Sequence, residues 1–160
     1  MPEVVCNTTP LQYLHQAGVI GIIPALYARI LVPKAVADEI AVGLNAGVNL
    51  PDLASLEWIE IREVLGSSWP MPRDIHRGEA EVIALAGSLD DPLMILDDLA
   101  ARRHAQLLGL KFTGTLGVLL KGKKSGILDS VLPVVDCLEQ LGFRLAPNTR
   151  REFLKLAEES

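Results

Sequence analysis

Short apolar runs alternate with helical patterns along this chain, and that alternation carries most of what the sequence says about architecture. Val4-Val5-Cys6 is a β-branched run closed by Asn7-Thr8-Thr9-Pro10. Thr9 is placed to cap a helix that starts at Pro10, where the missing N–H costs no hydrogen bond. Ile30-Leu31-Val32 is a second run, and Pro33 opens another helix. From Glu57 to Glu63 apolar and polar residues alternate, the pattern of a half-exposed edge strand. Leu93-Met94-Ile95-Leu96 is apolar at every position, as a strand covered on both faces requires. Lys111-Phe112-Thr113 is a shorter candidate. Helical spacing follows at Gly78–Leu89, Leu99–Leu108, Leu116–Lys124, Val131–Leu141 and Arg150–Glu158. Strands alternating with helices predict an α/β fold whose mainly parallel sheet is covered on both faces.

The uncharged stretch Leu11–Ala28 contains Gly18, Gly21 and Pro24. It reads as two short helices, because a membrane span needs about 20 mostly apolar residues. Two segments read as loops by their turn chemistry: Gly43–Pro51, rich in Gly and Asn, and Leu65–Arg77, which carries Trp69, Pro70 and Pro72. The second leads into the helix at Gly78 and is placed to overhang it. A length of 160 residues suits one domain. The expected division is a body at residues 1–146 and a C-terminal helix, 147–160, packed on it.

Composition narrows the function classes. Apolar residues make up 49% of the chain and the mean hydropathy is +0.30, enough to bury a core. The formal charge of −5 rules out a generally cationic surface. Aromatics are only 4%, which argues against an RNA-recognition sheet or an OB-fold as a stacking platform. Cys6 and Cys137 are too few for a disulfide scaffold, and both lie in apolar runs. No Lys or Arg precedes Arg29, so no secretory n-region is present and a cytoplasmic protein is expected.

In an open parallel sheet, ligands sit beyond the carboxyl ends of the strands, so the polar residues that follow each strand matter most. Asp97 and Asp98 follow the most apolar strand; one suffices to cap the next helix, which frees the other. At about 100° per residue, Glu79 shares a helix face with Val82, Ile83 and Ala86, whereas Glu81 points away. An acid on an apolar stripe is costly unless something offsets its charge. In the helix after Pro33, Glu39 flanks the stripe of Val36, Ile40 and Leu44, and Asp38 points outward. The corresponding position after the first strand is the neutral Asn7. Carboxylates gathered in this way repel one another unless a divalent cation or a proton sits among them. All-oxygen ligation suits Mg²⁺ or Mn²⁺, and His15, His76 and His104 are too scattered to compete. Between Leu99 and Lys124 stand Arg102, Arg103, Lys111, Lys121, Lys123 and Lys124 without an acid, a stretch able to hold phosphates beside the acidic edge. No GxGxxG or GxxxxGK[ST] follows a strand, which weakens the case for a small phosphorylated ligand.

Several stretches, taken in order, resemble the PIN domain. They are Val4-Val5-Cys6-Asn7-Thr8-Thr9-Pro10-Leu11, Leu31-Val32-Pro33 through Glu39-Ile40, and Arg77-Gly78-Glu79-Ala80-Glu81 with Ile83-Ala84-Leu85-Ala86. Leu96-Asp97-Asp98 with Ala101-Arg102, and Gly109-Leu110-Lys111 with Thr113-Gly114-Thr115-Leu116-Gly117, complete the likeness. The nearest look is to a prokaryotic branch of nucleic-acid-binding proteins related to VapC-type toxins. The resemblance implies a three-layer α/β/α fold and an Mg²⁺- or Mn²⁺-dependent endoribonuclease acting on single-stranded or structured RNA. It also implies a homodimer and, for a toxin, an antitoxin protein as partner. Carried over by position, the acidic site is Asn7, Glu39, Glu79 and Asp97, with Glu39, Glu79 and Asp97 as metal ligands. Thr8, Thr9, Arg102, Arg103, Thr113, Thr115 and Lys121 fall on the substrate side. Asn7 departs from the family's aspartate, so the expected activity is weakened. The alternative is an inactive PIN scaffold that binds RNA or a protein partner.

Overall fold

The computed structural model describes residues 2–65 and 71–160. Five strands form one sheet: Glu3–Cys6 (β1), Ile30–Pro33 (β2), Ile59–Arg62 (β3), Pro92–Ile95 (β4) and Lys111–Thr113 (β5). Their order is β3-β2-β1-β4-β5, and every neighbouring pair is parallel. The helices are Thr8–Gln16 (α1), Ile22–Tyr27 (α2), Lys34–Asn45 (α3), Arg77–Gly87 (α4), Leu99–Leu107 (α5), Thr115–Lys124 (α6), Leu132–Gln140 (α7) and Pro147–Leu156 (α8). They cover both sides of the sheet. Helix α4 packs on β1, β2 and β4 and touches α3 and α5, while α6 packs against α1, α2 and α8. No helix among the described residues is long and apolar enough to cross a membrane.

The chain builds outward from β1 through β2 to β3, then crosses back to lay β4 on the other side of β1. Strand order therefore reverses between β1 and β4, which opens a crevice beyond their carboxyl ends. Register makes this crevice well defined. Cys6 pairs with Ile95, and the Asn7 amide donates to the Ile95 carbonyl (3.1 Å), so Asn7 and Asp97 leave the sheet side by side. The strands can occupy the middle of the molecule because their side chains are apolar on both faces. Val4, Val5, Cys6, Ile30, Leu31, Val32, Met94 and Ile95 are all buried.

Several boundaries differ from the sequence expectation, each for a local reason. Helix α1 begins at Thr8, not Pro10, because Asn7 ends the strand and stands directly at the N-cap. Pro10 falls in the first turn, where its absent N–H is one of the groups a helix leaves unpaired anyway. Helix α3 runs on to Asn45 through Gly43, which was expected in a loop. The bare Cα of Gly43 lets Leu50 fold back across it, since a Cβ there would overlap the Leu50 side chain. Helix α8 starts at Pro147, the first residue of the expected C-terminal helix and three residues before the helical spacing read from Arg150. Of the loop expected over Leu65–Arg77, residues 66–70, including Trp69 and Pro70, lie outside the described residues.

The C-terminal helix is fastened at both ends. Arg150 bridges to Asp136 (2.8 Å) and Glu139 on α7. Glu159 receives hydrogen bonds from Lys123 (2.8 Å), the Ser130 hydroxyl and the amides of Val131 (2.8 Å) and Leu132 (3.1 Å) at the start of α7. Burial pushes the Glu159 carboxyl up, but these donors outweigh it and hold the pKa at about 2. A lowered pKa stabilises the fold above the ordinary value of 4.5 and loses that contribution as pH falls through about 2. Glu159→Gln should therefore lower the unfolding free energy at pH 7 by about 1–2 kcal/mol, allowing for partial solvent screening. The gap from the parent should close as pH drops from 4.5 towards 2, which urea unfolding across that range would measure.

Candidate active site

Asp97 follows β4 at the crevice and is held by a dedicated set of donors. The Thr115 amide donates to Oδ1 (2.8 Å) and the Thr115 hydroxyl to Oδ2 (2.6 Å), so one residue fixes both oxygens. Thr115 opens α6 and is fully buried. Arg102, from α5, donates through Nε to the Leu96 carbonyl (2.6 Å) and sets Nη2 at 3.7 Å from Asp97 Oδ1. Gly114 permits this closeness: a Cβ there would overlap the guanidinium and lie 2.5 Å from Asp97 Oδ1. Asp98 supplies the helix cap, accepting from the Ala101 amide (2.9 Å). That division of labour leaves Asp97 for the crevice.

Glu39 stands on α3, where its Oε2 accepts from the Thr8 hydroxyl (2.8 Å). Its carboxylate lies against Gly78 in the first turn of α4, and any side chain at Gly78 would overlap it. Helix N-termini favour negative charge, so the position suits a carboxylate. Glu79, the next residue, is half-buried on α4. Glu81 faces the other way, accepts from the Ala35 amide at the start of α3 (3.0 Å) and pairs with Arg77. Asn7 is only 2% exposed, and its side chain makes no capping bond to α1. Cys6 lies beneath this edge; burial first, and the Asp97 charge second, push its thiol well above the ordinary range. It is a neutral packing residue.

One cavity of about 840 Å³ opens on this edge, and Glu79 and Asp97 both line it. Thr9, Arg102 and Thr113 also face it. Thr8 instead serves Glu39, and Thr115 is enclosed behind Asp97. Arg103 is exposed and outside the cavity lining, and Lys121 lies over the Tyr27 ring with its ammonium 4.6 Å from the centroid. The sequence reading missed the rest of the lining, which is Tyr13, Phe112, Leu116, the run Gly142–Ala146 and Thr149. Only the isolated aromatic of Phe143-Arg144-Leu145 after a glycine hints at it. Gly142 takes φ +99°, which ends α7 and turns the chain across the crevice. Among the histidines, His104 has a buried Nε2 with no partner among the described residues.

The donor chemistry bears on a divalent ion. Among the described residues no three His, Cys, Asp or Glu side chains stand close enough together to hold one. Glu79, Asp97 and Asp98 all line the cavity; Asp98 is engaged as the α5 cap, and each Asp97 oxygen keeps a lone pair after its bond from Thr115. Mg²⁺ commonly takes one or two carboxylates and completes its shell with water and phosphate, so the residues fit an ion of that kind. They do not form a closed cage.

Because Gly114 admits the Asp97–Arg102 pairing, Gly114→Ala should cost roughly 1–3 kcal/mol by forcing one of the two aside. Gly21→Ala, at a site where a Cβ meets nothing within 4 Å, should cost far less. Denaturant unfolding of the two variants measures the difference.

A family model described as a PIN domain, DUF3368, matches residues 3–159. No curated protein and no solved structure matches the chain. PIN domains are nuclease-type, nucleic-acid-handling folds that generally use divalent metals. With its all-parallel sheet in the order β3-β2-β1-β4-β5 and a family match over nearly its whole length, this chain belongs to the PIN-domain family DUF3368.

Proposed function

We propose that the chain is an endoribonuclease of PIN type dependent on Mg²⁺ or Mn²⁺, with activity held low by Asn7. The observation that supports this best is that Glu79, on α4, and Asp97, just beyond β4, line one cavity where strand order reverses. Glu79 and Asp97 would hold the ion, with Glu39 beside Gly78 as the third candidate carboxylate. When bound, the ion supplies a nucleophilic water and charge stabilisation for phosphodiester hydrolysis. The remaining work falls to the chain. Thr115 keeps Asp97 from rotating, and Arg102, whose guanidinium reaches the cavity, offers planar donors to a phosphate. Asn7 contributes a neutral amide where an aspartate would add charge, which weakens cation affinity at the first-strand position.

A second reading, an inactive scaffold that binds RNA, is favoured by that same amide and by the Arg102 cation already beside Asp97. One assay separates the two. With Mn²⁺ and unpaired RNA, the parent should cleave slowly, and Asp97→Asn should lose about 100-fold or more. Asn7→Asp should raise cleavage and Mn²⁺ affinity by roughly 10-fold. No cleavage by the parent or by Asn7→Asp leaves the scaffold reading in its place.

A further inference from the structure

We propose that the cavity beside Asp97 seats a single unstacked nucleobase, so that the chain selects unpaired strands and presents the adjoining phosphate to the acidic edge. The substrate class named here rests on the nuclease reading above. Carboxylates that hold an ion need no aromatic wall, yet one is present. The chain has seven aromatic residues, two Trp, two Tyr and three Phe, and three of them line this one cavity: Tyr13, Phe112 and Phe143. Tyr13 and Phe143 meet edge to face with ring centroids 5.1 Å apart, and Arg102 stands 5.1 Å above the Phe112 ring. These pairings fix ring orientation before any ligand arrives.

The wall is also pinned. Phe143 lies on the segment between α7 and α8, which Arg150 ties to Asp136 and Glu139 and which Glu159 anchors beyond α8. Aromatic rings and polar groups on one lining match the two characters of a base, a π-face and a hydrogen-bonding edge. Thr9, Thr113 and Thr149 supply hydroxyls for that edge. A volume of about 840 Å³ lies within the range of small-ligand sites and admits one nucleotide unit. Bases in a duplex are stacked and paired, and turning one out costs energy that an unpaired strand does not spend.

The test uses fluorescence anisotropy in EDTA, where no cleavage intervenes. The probes are a labelled unpaired oligoribonucleotide, the same strand in a duplex, and the same strand with abasic residues. The unpaired strand should bind roughly 5- to 150-fold more tightly than the abasic strand, the span expected for stacking of one base on aromatic side chains. It should also bind more tightly than the duplex. Phe143→Leu, which keeps apolar bulk and removes the ring, should erase most of that advantage without changing abasic binding or the melting temperature by more than a few degrees. Equal binding of intact and abasic strands, equal binding of the duplex, or no binding of any strand overturns the proposal; a cavity built for a peptide side chain would give that result. The failures are separable. Cleavage lost in Asp97→Asn, with intact and abasic strands binding alike, keeps the nuclease and removes the base seat. Base-dependent binding without cleavage under any ion does the reverse.

Discussion

Two hydrogen bonds from Thr115 to Asp97 connect the last strand of the sheet to the edge where chemistry is possible. The amide and the hydroxyl take different carboxylate oxygens, so the side chain cannot rotate without breaking one of them. A hydrogen bond to a charged group contributes about 1.5–3 kcal/mol, and the low dielectric around a buried donor makes its loss costlier. The same interaction joins two elements. Asp97 ends the β4 turn and Thr115 starts α6, so the carboxylate positions a helix as much as the helix positions the carboxylate. Gly114 completes the arrangement by leaving room for Arg102. Loosening any of the three changes both the edge of the sheet and the cavity.

Much of the fold was legible because its signals are local. β-Branched runs, prolines at helix starts and the uninterrupted apolar run at Leu93–Leu96 need no knowledge of distant contacts. The edge position of β3 was legible too, from alternation alone. Helix phase set Glu79 and Glu81 on different faces; Glu79 lines the cavity, whereas Glu81, expected to point away, is half-buried and ties α4 to α3. What stayed hidden depends on contacts between remote segments. Nothing near Gly43 announces that Leu50 will return across it, and nothing near Thr115 announces that Asp97 will claim its hydroxyl. The aromatic wall was hidden for a different reason. A composition of 4% aromatics argues against stacking when it is spread evenly, and it says nothing once nearly half are drawn to one place.

The C-terminal segment shows how charge is spent on placement. Glu159, close to the end of α8, gathers Lys123, Ser130 and two amides, and Arg150 gathers Asp136 and Glu139. Surface ion pairs taken singly contribute little, about 0–1 kcal/mol, but a carboxylate that also caps a helix does more. Both sets act on α7 and α8, the two helices that carry the cavity wall between them. Their shared effect is to hold Phe143 and its neighbours across the crevice.

Position 7 is where stability and chemistry pull apart. Asn7 is almost fully enclosed at the end of β1, next to the edge that carries Asp97. A second carboxylate there would be a buried like charge, which costs several kcal/mol unless a cation or a proton offsets it. An amide avoids that cost. With Asn7 neutral, Arg102 beside Asp97 and Thr8 on Glu39, each acidic group except Glu79 has a partner among the described residues, so the edge is stable without an ion. An aspartate at position 7 would make that edge depend on an ion for its stability, and would bind the ion more tightly for the same electrostatic reason. The asparagine therefore moves the balance from cation affinity toward a pre-formed site. In the nuclease reading, the chemistry left to such a site would draw on Glu79, which lines the cavity and has no hydrogen-bond or ion-pair partner among the described residues.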